Sequence, residues 1–252
     1  MTFKPAAPNR LQIPIIWLLS LATSKSIFIT KNLKAIGDVA DFQQWVKLNF
    51  PESKLLLRRE KIWENVLKNS LRPKRIVELG VAWGYMTNWF LRKSVLLGRK
   101  SNKKIEIKID SFDLFTGLPE SWRYNQKNTF SNRGTIPDIN DDRVKFHVGD
   151  VEETIKNLNL NDLRQEELVV MFDLDLHKPS LFCYLHLKPA LKVGDILYFD
   201  EAFDIAERTI IEKYVFQDFI CESLGHSGFA ICLRIIEIIK NHETRKLDFI
   251  DH

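Results

Sequence analysis

The stretch that decides the fold is Arg75-Ile76-Val77-Glu78-Leu79-Gly80-Val81-Ala82-Trp83-Gly84-Tyr85. Its first half is apolar apart from one internal acid, which predicts a buried strand that runs into a turn. The two glycines permit a tight turn and a close approach of a ligand to the backbone. The stretch is neither a Gly-x-Gly-x-x-Gly dinucleotide fingerprint nor a P-loop, because alanine holds the middle position and no Gly-Lys-Ser/Thr follows.

Further strands and helices follow this stretch in alternation. Helices are predicted over Met86–Leu97 and Glu207–Ser223 from the helical spacing of their apolar residues. Strands are predicted over 104–113, 144–148, 168–172, 195–199 and 229–236. Such alternation favours an α/β, Rossmann-like fold with a mostly parallel central sheet and helices on both faces. Ligands of such sheets bind beyond the carboxyl ends of the strands.

The composition is that of a globular protein. Of the 252 residues, 45% are apolar and 28% are charged, which excludes a mainly disordered or collagen-like chain. Three cysteines are too few for a disulfide scaffold and too scattered for a zinc ribbon, so a reduced, cytoplasmic location is expected. The net charge of +4 comes from an N-terminal extension with a Lys-rich character. We interpret its basic residues as a solvated face, while contact with nucleic acid or acidic lipid stays open.

Residues 11–22 form the one long apolar run. At ~20 residues for a membrane span, the run is too short to cross a bilayer. Lys4 and Arg10 precede it, as in a secretory signal, but Gln12 and Pro14 interrupt it and a good cleavage site is missing. We therefore expect a helix or strand that packs against the body or lines a substrate pocket.

Acidic residues stand where the first three strands end. An acid at the first strand end, Glu78, suits a ligand other than a pyrophosphate, and S-adenosylmethionine, with its positive sulfonium, is such a ligand. Asp113 falls one strand–helix unit later, where a carboxylate can accept both hydroxyls of a ribose. Asp150 ends the third strand and is placed to border an adenine. An ordinary strand–turn–helix junction and a solvated turn carboxylate remain the alternatives.

Two acidic clusters follow the fourth and fifth strands. They are Asp173-Leu174-Asp175-Leu176-His177 and Phe199-Asp200-Glu201. Neighbouring carboxylates repel one another and raise one another's pKa values. A divalent cation resolves this conflict, since oxygen ligands suit Mg²⁺, Ca²⁺ or Mn²⁺, and His177 adds a donor for a transition metal. Neutralisation by an Arg or Lys side chain is the alternative.

Together these segments resemble the class I S-adenosylmethionine-dependent methyltransferases. Within that class they are most similar to the macrocin O-methyltransferase group, of the TylF/MycF type, over about residues 55–236. The motifs that carry the resemblance are Glu-Leu-Gly-Val-Ala-x-Gly (78–84), Asp-x-Phe-x-Gly-Leu-Pro-Glu-x-Trp (113–122), Gly-x-x-x-x-Thr (149–154), Asp-x-Asp-Leu (173–176) and Phe-Asp-Glu (199–201). One departure is His177, which stands where the group usually has Tyr.

The resemblance implies a role for each matching residue. The methionine end of S-adenosylmethionine would lie against Glu78, Gly80, Ala82, Trp83 and Gly84. Asp113 would hold the ribose, and Asp150 with Val151 would flank the adenine. Mg²⁺ or another divalent cation would bind to Asp173, Asp200 and Glu201. The proton of the acceptor would go to Asp173, Asp175 or His177.

The resemblance also implies the activity and the domain organisation. We expect an O-methyltransferase that acts on a hydroxyl of a sugar or natural-product-like small molecule. The alternatives are a metal-dependent hydroxylase of the same fold, a nucleic-acid methyltransferase and a binding module without activity. The expected domains are an N-terminal extension or cap (1–54), a methyltransferase domain (55–238) and a polar tail (239–252). No membrane or nucleic-acid partner is expected, and a homo-oligomer stays open.

Overall fold

A computed structural model describes residues 27–68, 74–102 and 104–239. The predictions for the apolar run at 11–22 and for the polar tail from residue 240 lie outside the described residues. The helices are α1 (Ile27–Asn49), α2 (Arg59–Lys68), α3 (Tyr85–Ser101), α4 (Val151–Thr154), α5 (Leu160–Leu163), α6 (His177–Leu187), α7 (Ile205–Ile210) and α8 (Phe216–Asp218). The strands are β1 (Lys74–Leu79), β2 (Ile107–Asp113), β3 (Val144–Val148), β4 (Glu167–Phe172), β5 (Ile196–Phe199), β6 (Phe219–His226) and β7 (Ile231–Ile238).

One sheet of seven strands organises the chain, in the order β3-β2-β1-β4-β5-β7-β6. The five strands from β3 to β5 are parallel, whereas β7 runs antiparallel to both β5 and β6. This confirms the predicted α/β fold with a mostly parallel sheet. The carboxyl ends of β1, β2, β4 and β5 therefore meet along one edge, where the predicted site residues lie.

Both faces of the sheet are buried, which explains why the central strands read as continuous apolar runs. Alternate residues of β4 enter different cores: Val170 and Phe172 pack on one face, and Val169 and Met171 on the other. All four side chains are fully buried. Each such burial contributes about 1.5–3 kcal/mol relative to an exposed side chain.

Helix α1 packs against the body through its apolar residues. Phe42 and Val46 are buried in the same core as the sheet. Trp45 stacks on Phe216, with ring centroids 6.1 Å apart and planes 5° from parallel. The following segment joins the end of β6, because the amide of Leu56 donates to the carbonyl of His226 over 2.7 Å. The predicted domain boundaries stay predictions.

The helix predicted from Glu207 to Ser223 is wrong in its last five residues, 219–223. Helix α7 passes into a π-helical turn, Ile211–Val215, and α8 ends at Asp218. Strand β6 then begins at Phe219 and pairs with β7. The apolar spacing continues through Phe219, but that side chain is buried as the first residue of a strand, so sheet pairing overrides the local pattern. The other predicted strands agree within three residues at each end.

Two observations bear on the cellular setting. None of the helices in the described ranges is long and apolar enough to span a bilayer. The thiols of Cys183, Cys221 and Cys232 are free. Burial raises the pKa of Cys221 and of Cys232 to about 12, so little reactive thiolate forms at neutral pH. The expected cytoplasmic location stays a prediction.

Candidate functional site

A cavity of about 460 Å³ opens at the carboxyl ends of β1, β2, β4 and β5. That volume is in the range of small-molecule sites. All of the predicted site residues line this cavity except Gly84 and His177. The structure therefore brings most of the predicted site residues together at one cavity, while their roles stay predictions.

Glu78 places a carboxylate with one unsatisfied oxygen at the cavity. Its Oε2 accepts hydrogen bonds from the hydroxyls of Thr87 (2.5 Å) and Ser111 (2.7 Å). Its Oε1 is buried and has no hydrogen-bond partner among the described residues. Burial raises the pKa of Glu78 to about 7, against the two hydroxyls, which favour the charged form. A positively charged donor from a ligand would satisfy this oxygen and stabilise the carboxylate.

The Asp113 carboxylate shapes the turn after β1. Its Oδ2 accepts from the amides of Val81 (2.7 Å) and Ala82 (2.8 Å), and its Oδ1 accepts from the amide of Phe115 (2.5 Å). These bonds hold Ala82 in a left-handed conformation, at φ 46°. A carboxylate has about four acceptor positions, so these three bonds leave about one for a bond to a ribose.

The two glycines of the turn are required for different reasons. At Gly80, with φ +92°, an added Cβ would overlap the carbonyl oxygen of Asp173, so the ends of β1 and β4 approach too closely for a side chain. At Gly84, with φ +76°, a Cβ would lie 2.9 Å from Cβ of Pro137. Gly84 therefore serves the packing of a loop, and its predicted contact with the cofactor is not among the cavity contacts.

The predicted adenine end is built on the start of α4. Asp150 caps that helix, since its Oδ1 accepts from the amide of Glu152 over 2.8 Å. Val151 is buried and lines the cavity beside it. Trp83, which also lines the cavity, is 60% exposed and leaves aromatic surface open to a ligand.

Four acids from the ends of β4 and β5 lie on the other side of the cavity: Asp173, Asp175, Asp200 and Glu201. Burial, followed by repulsion from Asp200, raises the pKa of Asp175 to about 7. Burial and neighbouring acids also raise the pKa values of Asp173 and Glu201 well above their usual range. Glu207, buried behind Glu201, shows the same effect. This half of the site is therefore short of positive charge.

One of these acids, Asp200, forms a salt bridge with the side chain of Arg59. Nη1 of Arg59 donates to Oδ2 of Asp200 over 2.9 Å. The hydroxyl of Tyr198 donates to the other oxygen, Oδ1. The sequence left neutralisation by an Arg or Lys open, and for Asp200 the structure shows it.

The predicted divalent metal does not fit this arrangement. Across residues 27–68, 74–102 and 104–239, no three His, Cys, Asp or Glu side chains are placed to hold a metal ion. Of the three predicted ligands Asp173, Asp200 and Glu201, Asp200 has both oxygens engaged by donors of the chain.

His177 lies beside the acids but faces away from the cavity. Its Nδ1 donates to the carbonyl of Ala206 over 2.7 Å, which ties the start of α6 to α7. Its predicted part in proton transfer stays a prediction. Arg59 is the site residue that sequence reasoning missed. It lies in a stretch without a motif, and its partner Asp200 is 141 positions away.

A second cavity, of about 690 Å³, adjoins the first. The two share Arg59, Asp200 and Glu201. The remaining wall is largely apolar and comes from α1, the 55–57 segment and the turn between β6 and β7: Val39, Leu55, Leu56, Leu57, Phe229 and Ala230. Acidic groups with a bound cation therefore lie at the junction of a ligand-sized cavity and an apolar one.

No family model and no curated protein matches this chain. Among solved structures, the calicheamicin methyltransferase CalS11 is 19% identical, with a TM-score of 0.52 over 91% of this chain and 94% of that one. The O-methyltransferase NovP is 17% identical, with a TM-score of 0.48 over 71% and 78%. An rRNA methylase from Streptococcus thermophilus is 12% identical, with a TM-score of 0.44 over 73% and 99%.

The likeness to CalS11 establishes the fold. It is the Rossmann-like fold of methyltransferases, as the resemblance implied. Because one fold supports many chemistries, the activity has to be argued from the site itself. The narrower resemblance to the macrocin O-methyltransferase group stays a prediction.

Proposed function

We propose that this protein is an S-adenosylmethionine-dependent O-methyltransferase that acts on a hydroxylated small molecule. The observation that carries the proposal is the buried, unpartnered Oε1 of Glu78 in the cavity at the strand ends. A buried polar atom without a partner costs about 1–3 kcal/mol, so such an atom marks a place where a ligand donor belongs. The ammonium group of a bound amino acid is a donor of matching charge.

In this proposal, different residues around the cavity contact different parts of the cofactor. Glu78 holds the amino group, the turn at Gly80–Trp83 borders the methionine chain, and Asp113 takes the ribose hydroxyls. Asp150 and Val151 flank the adenine. S-adenosylmethionine supplies a methyl group on a positively charged sulfonium, which favours a cavity lined by carboxylates.

Asp175 is the group that we propose takes the proton of the acceptor hydroxyl. It lines the cavity, and its pKa of about 7 is close to the operating range of a general base. Asp173 lies next to it, and burial followed by repulsion from Asp200 raises its pKa well above the usual range. Asp175 therefore takes the proton in a site where burial and neighbouring acids raise the pKa values of both carboxyl groups.

The second cavity is the route that we propose for the acceptor. It reaches the junction at Arg59, Asp200 and Glu201, next to the proposed base. Its apolar side, which includes Leu57 and Phe229, suits an acceptor with an apolar body that presents a hydroxyl to the acids. The donor set at this junction does not fit the predicted metal assistance.

Cofactor binding is the first test. Calorimetry with S-adenosylmethionine should show one site with micromolar-order affinity. Glu78→Gln should weaken binding by about thirtyfold, because a hydrogen bond to a charged group contributes about 2 kcal/mol. Glu153→Gln is the matched control, since Glu153 is exposed and pairs with Lys156 outside the cavity. A folded protein that binds no S-adenosylmethionine would contradict the proposal.

Turnover is the second test. A panel of hydroxylated sugars and phenols should be screened for release of S-adenosylhomocysteine. With the acceptor that gives turnover, Asp175→Asn should lower kcat by about a hundredfold or more while cofactor affinity stays within a few fold. Oxygen consumption in place of S-adenosylhomocysteine release would point to a hydroxylase. Methylation of RNA alone would point to a nucleic-acid enzyme.

A further inference from the structure

Arg59 is the residue at which the two cavities meet. It begins α2 and lines both of them. Its side chain is 43% exposed, whereas the side chain of its partner Asp200 is 7% exposed. A nearly buried carboxylate is thus paired with a cation that a ligand in either cavity can reach.

Two aromatic rings fix the guanidinium of Arg59 in place. Its Cζ lies 5.3 Å from the ring centroid of Trp63 and 5.8 Å from that of Tyr85. Trp63 is fully buried and itself packs against Tyr198. Each cation–π contact contributes about 0.5–1 kcal/mol at an exposed site. The position of the charge is therefore set by the fold and not by Asp200 alone.

The pairing also engages Asp200 from both sides. Arg59 holds Oδ2 and the buried hydroxyl of Tyr198 holds Oδ1. A divalent ion at the same carboxylate would have to displace Arg59 or lie a few ångströms from its positive charge. Like charges at such separations repel by several kcal/mol in a partly buried site.

We propose that the Arg59 guanidinium takes the place among the acids at the ends of β4 and β5 that the family resemblance gives to a divalent cation. Arg59 is then a positioning residue, which pairs with Asp200 and keeps it directed at the junction of the cavities. Methyl transfer in this protein accordingly needs no metal. The inference rests on the proposed function for what the site does, while the pairing that carries it is independent of that function.

Manganese binding tests the proposal without any acceptor. The signal of free Mn²⁺ in electron paramagnetic resonance reports how much of the ion each protein removes from solution. Wild-type protein and Lys61→Gln, a charge-loss control in the same helix, should remove none at millimolar Mn²⁺. Arg59→Gln should bind one ion at least about tenfold more tightly than wild type, a gain of about 1.4 kcal/mol. Arg59→Lys, which keeps the charge, should behave as wild type.

Two results would overturn the proposal. The first is tight uptake of one Mn²⁺ by the wild-type protein, and the second is a folded Arg59→Gln that gains no affinity. If circular dichroism shows that Arg59→Gln does not fold, Arg59→Met, which keeps the contact with Trp63, decides in its place. Calorimetry with S-adenosylmethionine on the same samples separates this outcome from failure of the proposed function, because cofactor binding does not depend on the Mn²⁺ result.

Discussion

The ends of β1 and β2 and the ends of β4 and β5 face the same cavity, yet they surround their carboxylates with different groups. At the first pair, Glu78 and Asp113 accept hydrogen bonds from hydroxyls and backbone amides of their own surroundings. At the second pair, burial and then repulsion from Asp200 push Asp175 and Glu201 toward their neutral forms. In the first half, hydrogen bonds fix the positions of the carboxylates. The second half holds acids with raised pKa values, which can exchange a proton during a reaction.

The largest effect on stability should come from a side chain added where the end of β1, in the first half, meets the end of β4, in the second half. Gly80→Ala places a Cβ on the carbonyl oxygen of Asp173 at a φ of +92°, and we expect a loss of about 3–5 kcal/mol in the free energy of unfolding. Urea denaturation measures this loss. Gly134→Ala is the control, because Gly134 has φ +75° with no atom within 4 Å of an added Cβ. It should lose only about 1–2 kcal/mol. An equal loss in both variants would show that the dihedral angle, and not the contact with Asp173, matters.

A smaller effect should be a pH dependence of stability that comes from Asp175, in the second half of the site. The pKa of Asp175 is about 7 in the folded protein and near 3.8 in the unfolded chain, so between these values the folded state binds more protons. The contribution of Asp175 to the free energy of unfolding should therefore be fully present below about pH 4 and be lost as the pH rises through 7. Asp175→Asn removes this loss and should be about 2 kcal/mol more stable than wild type at pH 8, after allowance for solvent screening.

At pH 4 the Asp175→Asn variant and wild type should be equally stable. Asparagine tolerates the positive φ of 62° at this position, so the substitution adds little backbone strain. Asp138→Asn, on an exposed loop, should show no difference at either pH. Thermal melting at the two pH values measures both variants. If Asp175→Asn and the wild type were equally stable at both pH values, burial and repulsion among the acids would not destabilise the charged form of Asp175.

The smallest effect belongs to the first half. Ser111→Ala removes one of the two hydroxyls that hold Glu78 and should weaken S-adenosylmethionine binding about fivefold, since such a bond contributes about 1 kcal/mol. Ser94→Ala, which loses a bond to the carbonyl of Leu91 in α3, is the control and should leave affinity unchanged. Calorimetry distinguishes the two. If both variants bind equally well, the hydroxyl does not prepare Glu78 for the ligand.

Much of the fold could be predicted because the parallel strands are buried on both faces. Such strands can be recognised in the sequence as continuous apolar runs, as at Leu168–Phe172. The acids that follow these runs lie at the cavity. The strand β6 could not be predicted in this way. It lies at the edge of the sheet, most of its residues are only partly buried, and the helical spacing of the residues before it continues into Phe219.

Site roles that depend on long-range partners were beyond the sequence. The unsatisfied oxygen of Glu78 appears only once Thr87 and Ser111 are seen to take the other oxygen. The pairing of Arg59 with Asp200 joins positions 141 apart, and no local pattern encodes it. His177 was placed near the right acids, but its ring is committed to Ala206, a contact made between two helices.

The attachment of α1 and its following segment to the last strands has a consequence for synthesis on the ribosome. Ser53 bonds to Ser223, 170 positions later, and Trp45 stacks on Phe216. At about 5–20 residues per second, roughly 10–30 s pass between the emergence of these partners. During that interval the apolar side of α1 has no native surface to cover it. The part of the described chain that is made first is thus among the last to be buried, and co-translational chaperones have a defined segment to protect.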